Sequence, residues 1–163
     1  MAIKFQDNSG QVKEAMRDAA MQFLEESAML VQRDAAKNTQ SNTGQLKGSW
    51  NHIVDSGELK ATVGNPSEYA IWQEMGTGEY ALNGNGRKGY WVYVEGGGGK
   101  RSRSSKQYTL EEAKKVVAML RSKGLAAVYT KGSKPQRMLH KAYVNNKGRI
   151  IQRASQIFKG RIG

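Results

Sequence analysis

Apolar positions along this chain follow two rhythms, one of three and four residues and one of two. From Gln11 to Ala36, Val12, Met16, Ala19, Phe23, Ser27, Leu30 and Val31 recur at steps of three and four, which predicts one long amphipathic helix. Its other face carries Glu14, Arg17, Asp18, Glu25, Glu26, Arg33 and Asp34, as a solvated face should, and Asn8 or Ser9 is placed to cap its start. At about 1.5 Å per residue that helix spans roughly 40 Å, long enough to back a small sheet. The polar run Lys37 to Thr43 reads as a loop. The rhythm then shortens: Leu46, Gly48, Trp50, His52 and Val54 alternate with polar residues, Ser56-Gly57 signals a turn, and Leu59, Ala61 and Val63 alternate back. That pattern predicts a hairpin. Gly64-Asn65-Pro66 stops it, and Ser67 caps a short helix in which Tyr69, Trp72 and Met75 share a face.

Residues 79–89 are rich in glycine and read as a mobile loop. Tyr90 to Val94 is the strongest strand signal, five aromatic or β-branched residues in a row. Gly96 to Lys106 is a second loop, with four glycines followed by Lys100, Arg101, Arg103 and Lys106, a composition that favours disorder over packing. Thr109 and Glu112 spell a capping box that opens a helix with Ala113, Val116, Val117 and Leu120 on one face, ending at Gly124. Leu125 to Thr130 reads as a buried strand. Strand, helix and strand in that order predict a right-handed βαβ crossover with parallel strands. After Pro135, an apolar face runs from Met138 to Phe158, weakened at Asn145-Asn146, as one kinked helix or two short ones with a flexible tail beyond.

The predicted fold is therefore α+β: a small, mainly antiparallel sheet packed by a long N-terminal and a C-terminal helix, with a βαβ embellishment. Its 163 residues form a single domain, 1–163, that can bury a real core. With 38% hydrophobic residues and a mean hydropathy of −0.68, no segment approaches the ~20 apolar residues of a membrane span. Met1 to Asp7 has no apolar stretch of the kind an export signal needs. Without cysteine there is neither disulfide nor thiolate chemistry, which fits synthesis in a reducing cytoplasm.

Charge is unevenly spread. The net charge is +12, yet residues 1–112 hold 13 Lys and Arg against all 14 Asp and Glu. Residues 113–163 hold 13 Lys and Arg and no acid. A field of one sign on that scale favours an acidic partner, nucleic acid or protein, or else pairs with the acidic first helix.

Catalytic signatures fail on physical grounds. Gly84-x-Gly86-x-x-Gly89 spells a dinucleotide fingerprint, but a strand follows it where pyrophosphate needs a helix N-terminus. Gly96 to Lys100 lacks the first P-loop glycine, and Arg101 stands where a Mg²⁺-binding hydroxyl belongs. His52 and His140 have no matched ligands for a metal, and no nucleophile–base pair is spelled out, so neither enzyme chemistry nor a cofactor is expected. Trp50, Trp72, Trp91, Tyr69, Tyr90 and Tyr93 read as sheet–helix core rather than as stacking platforms for single-stranded nucleic acid.

Three glycine-punctuated segments remain: Thr43 to Trp50, with Gly44 and Leu46; Tyr69 to Gly78, with Ala70, Glu74, Gly76 and Thr77; and Lys131 to Leu139, with Pro135. In this order they resemble the tail-completion, or head–tail joining, family of long-tailed bacteriophages and prophages. The resemblance implies a virion neck protein without enzymatic activity, made in the bacterial host cytoplasm. It implies a homo-oligomeric ring, six-fold, that touches adjoining tail and neck proteins and meets packaged double-stranded DNA without sequence preference. No membrane and no small-molecule substrate enter that picture. The family has a shorter connection where residues 96–123 stand, so that stretch reads as an insertion. Arg101, Arg103, Lys131, Lys134, Arg137 and Lys141 are the expected interaction residues. The rivals are a basic nucleic-acid-binding module with no virion role and, within residues 90–130, a peptidoglycan-binding module.

Overall fold

The computed structural model describes residues 7–40, 44–95 and 106–162. The chain divides into two compact units, Met1–Ser67 with Met138–Gly163, and Glu68–Arg137. Thr43, Arg101 and Arg103, with the basic run at 96–105, lie outside the described residues.

The first unit is a pair of long helices carrying a hairpin. Helix α1 (Ser9–Asn38) is longer than its apolar stripe predicts. The Asp7 carboxylate, rather than Asn8 or Ser9, takes the Ser9 N–H at 2.9 Å. Along the stripe Ala19 and Val31 are buried and Phe23, Ser27 and Leu30 partly buried, whereas Val12 and Met16 are exposed. Helix α5 (Met138–Ile162) is one continuous helix, so Asn145-Asn146 neither breaks it nor ends in a tail after Phe158. The two helices run antiparallel. The Asn38 amide meets the Met138 carbonyl, Asn146 meets Asp34, Arg153 meets Glu26, and Phe158 stacks near Phe23. Buried Ala19, Ala28 and Ala35 on α1 and Ala142 on α5 leave little bulk between the two, which permits close approach.

A helical turn, α2 (Gln45–Gly48), follows Gly44, whose φ of 74° only glycine adopts at little cost. The predicted strand therefore begins not at Leu46 but at Asn51: β1 (Asn51–Asp55) pairs antiparallel with β2 (Lys60–Gly64). Asp55 folds the turn, its carboxylate accepting from the Gly57 and Glu58 N–H groups at 2.7 and 3.0 Å. Val31, Ala35, Trp50, Met138 and Ala142 make the core, flanked by Leu46, Val63, Leu139 and Ile150.

The second unit holds α3 (Glu68–Met75), a 3-10 turn at Gly78–Tyr80, β3 (Trp91–Val94), α4 (Leu110–Ser122) and β4 (Ala127–Thr130). The capping box forms as predicted, Thr109 and Glu112 each accepting from the other's backbone N–H. Strands β3 and β4 are antiparallel, not parallel, and form a sheet separate from the hairpin. The reason lies in the path between them. Tyr108 bridges to Tyr90, so the chain has already returned to the start of β3 before α4 begins. Helix α4 then makes the forward pass, and β4 must run back. Nor is 79–89 a free loop. It is tied down by the Leu82 N–H to the Met75 carbonyl, the Gly89 N–H to the Glu79 carboxylate, and the Arg87 guanidinium to the Lys106 carbonyl.

Candidate interaction surfaces

The first glycine segment is used up in holding the hairpin on the helix pair. Trp50 is only 6% exposed. Its indole N–H donates to the Thr39 hydroxyl at 2.8 Å, and that hydroxyl donates to the Ala35 carbonyl at the same distance. The Trp50 carbonyl accepts from Gln32 at 2.9 Å. Asn65 donates to the Leu46 carbonyl at 2.8 Å, so the loop after β2 pins the turn before β1. The Trp50 indole N–H and the Thr39 hydroxyl are thus partnered where they enter this core, the condition for burying them without penalty, whereas the buried Ser27 hydroxyl on α1 has no partner among the described residues.

The second segment is laced to the third. Thr77 N–H donates to the Ser133 carbonyl and Glu79 N–H to the Lys131 carbonyl, both at 2.9 Å. Gln136 N–H reaches the Gln73 carbonyl at 2.7 Å, and Arg137 N–H the Glu74 carbonyl at 3.3 Å. Gly76 and Gly78 have φ of 74° and 62°, and Gly132 has φ 124°. A side chain at Gly78 or Gly132 would collide with the opposing backbone, and one at Gly76 would sit 2.9 Å from the Ser133 carbonyl oxygen and the Pro135 ring. Gly86 is equally close against Gly78. These glycines serve close approach, not freedom.

Cations lie on aromatic rings throughout this unit: Arg87 over Trp91 at 5.0 Å, Lys106 over Tyr108 at 5.2 Å, and Lys131 over Tyr80 at 5.3 Å. Tyr90 packs edge-on against Tyr129. The rings of Trp91, Tyr108 and Tyr80 are thus faced by the chain's own charges rather than offered as open stacking platforms.

The core expectation holds for Trp50 and fails for Tyr69, Trp72 and Tyr93. On α3 the buried residue is Ala70, while Tyr69, Ile71 and Trp72 are 63%, 57% and 57% exposed. An eight-residue helix with apolar groups at 69, 70, 71, 72 and 75 has more of them than one face can bury. That surplus was the signal in the sequence.

Of the expected basic residues, Lys131 is engaged, its ammonium 3.3 Å from the Glu79 carboxylate. The Lys131 hydrogen bond, helped by the Gly89 N–H, holds the Glu79 carboxyl below the usual range. Lys134 and Arg137 are exposed in the second unit, Arg137 at an unusual φ of 54°, and Lys141 is exposed on α5. The acidic side chains of α1 are not simply solvated. Arg153 holds Glu26 down to a pKa of about 2, Asn146 holds Asp34 below its ordinary value, and Glu25 lies 2.9 Å from His52 Nε2. His52 Nδ1 also meets Gln32, so this histidine fastens β1 to α1. Among the described residues no cluster of three or more His, Asp or Glu is placed to hold a metal, and no helix is long and apolar enough to cross a membrane.

Residues 3–76 match the family model described as "Bacteriophage HK97-gp10, putative tail-component". The match runs from before α1 through the hairpin to the end of α3, covering the first glycine segment and the second as far as Gly76. No curated protein and no solved structure matches the chain. A tail component is a structural part, not a type of enzyme. Through residues 3–76, the chain is similar to the HK97-gp10-like family, described as a putative bacteriophage tail component.

Proposed function

We propose that this tail component completes the end of the phage tail and joins it to the DNA-filled head, as one subunit of a homo-oligomeric ring. The observation that carries the reading is the family match over residues 3–76, whose marked residues are spent on scaffold: Gly44, Leu46 and Trp50 in one unit, Ala70, Glu74 and Gly76 in the other. A ring subunit needs such a rigid frame, and it needs surface left over for neighbours. Six-fold symmetry is what the family resemblance leads us to expect. The whole chain acts as one α+β domain in the neck of the virion, with 96–123 as an insertion. Lys134 and Lys141, with Arg101, Arg103 and Arg137, face acidic surfaces of adjoining proteins or the packaged DNA. Lys131 contributes less, because Glu79 neutralises it.

Deleting the gene from its phage tests this. The expected result is filled heads and finished tails that fail to join, restored by supplying the chain in trans. Joined, infectious particles without it would overturn the assignment.

One observation favours a second reading, a free nucleic-acid-binding module: α5 carries Lys141, Lys147, Arg149, Arg153, Lys159 and Arg161 and no acid. Such a module binds duplex DNA as an isolated monomer, with affinity falling steeply as salt rises. A tail subunit binds free DNA weakly.

A further inference from the structure

Each unit presents an exposed apolar face centred on one charge, and the two charges are opposite. On α3, Tyr69, Ile71 and Trp72 occupy one arc of the helix, and Glu68 projects between Ile71 and Trp72 at helical spacing. On α5, Tyr143, Val144 and Ile151 are 52%, 53% and 58% exposed, on the side away from Ala142 and Asn146. Lys147 lies four residues from both Tyr143 and Ile151, in the middle of that face. Glu68 and Lys147 are both exposed. Scattered apolar side chains on a surface are ordinary, but two contiguous faces with matched central charges are the composition of an interface core with its orienting pair.

We infer that the α3 face of one copy docks on the outer α5 face of the next, with Tyr69, Ile71 and Trp72 against Tyr143, Val144 and Ile151 and Glu68 against Lys147. Because the two faces differ, the contact is heterologous, the kind that propagates head to tail and closes into a ring. Aromatic side chains each bury about 150–250 Å², so six apolar residues with three aromatics among them supply a large part of the ~1,000 Å² that a specific interface requires. The inference rests on the ring reading and names the surfaces that make it.

The chain has no cysteine, so Ile71→Cys and Val144→Cys supply the only thiols and sit at exposed positions that the fold does not use. The full-length chain is treated with a short bis-maleimide, both purified at high concentration and in assembled tails. Expected are a ladder of covalent oligomers from the double variant and dimers from a mixture of the two single variants. Neither single variant links to itself. Lys147→Glu abolishes the ladder, and adding Glu68→Lys restores it. Self-linking of either single variant would mean a symmetric contact, and a link confined within one chain would mean that the faces cover each other; both overturn the inference. Absence of links in tails that contain the protein overturns the interface and leaves the tail assignment standing. Absence of the chain from tails removes both.

Discussion

In the first unit two long helices bury alanines against each other and clamp a hairpin through Trp50. In the second, short elements are held by backbone passing close to backbone at Gly76, Gly78, Gly86 and Gly132. One unit is stabilised by side-chain burial, which tolerates change at its surface. The other depends on missing side chains, which tolerate no addition. Substitutions should therefore behave oppositely in the two.

The largest expected effect is Trp50→Ala, which opens a cavity in the core of the first unit and removes the indole donor to the Thr39 hydroxyl, leaving that hydroxyl only its bond to the Ala35 carbonyl. A loss of about 3–5 kcal/mol is expected in denaturant unfolding. Gly132→Ala comes next. The strained φ alone costs about 1–3 kcal/mol, and the collision with the Thr77 carbonyl adds to it. Hydrogen exchange should accelerate across 68–137 in that variant. Were Gly132→Ala silent, the contrast between the units would collapse. Asn146→Ala removes a buried amide that donates to Asp34 at 2.7 Å and to the Ala142 carbonyl at 2.8 Å, at a cost of about 1–3 kcal/mol to the helix pair. Gly148→Ala has the opposite sign. No atom lies within 4 Å of the added methyl in mid-helix, so it should stabilise by about 0.5–1 kcal/mol, read as a raised Tm.

The smallest effect is acid sensitivity. The Arg153 hydrogen bond depresses the Glu26 carboxyl to about 2 from 4.5, so the folded state binds fewer protons than the unfolded one. That contribution is complete above about pH 4.5 and fades as the pH falls towards 2. Because the pair is half-exposed, the acid limb should be shallow, and Arg153→Gln should flatten it further.

What the sequence made legible follows the same division. Both long helices, the hairpin alternation and the Thr109 capping box could be read because burial and capping repeat at fixed spacings. The helical turn at Gln45–Gly48 could not, since four residues carry no period. The antiparallel pairing of β3 with β4 depends on where Tyr108 lands, which is long-range information. Gly84 to Gly89 read as slack because a glycine needed for close approach looks the same as one needed for freedom. The expected basic residues were legible as charge alone. That Lys131 is neutralised by Glu79 came only from the fold. The exposed face of α3 was misread because periodicity identifies apolar positions without saying whether the chain itself covers them.

Imaging of assembled particles at subunit resolution tests the central claim most directly. The account predicts density for this chain as a closed ring at the head-proximal end of the tail, with α3 of each copy seated on α5 of the next. Tails of normal length and attachment that lack this density, or that carry the chain elsewhere, would contradict it.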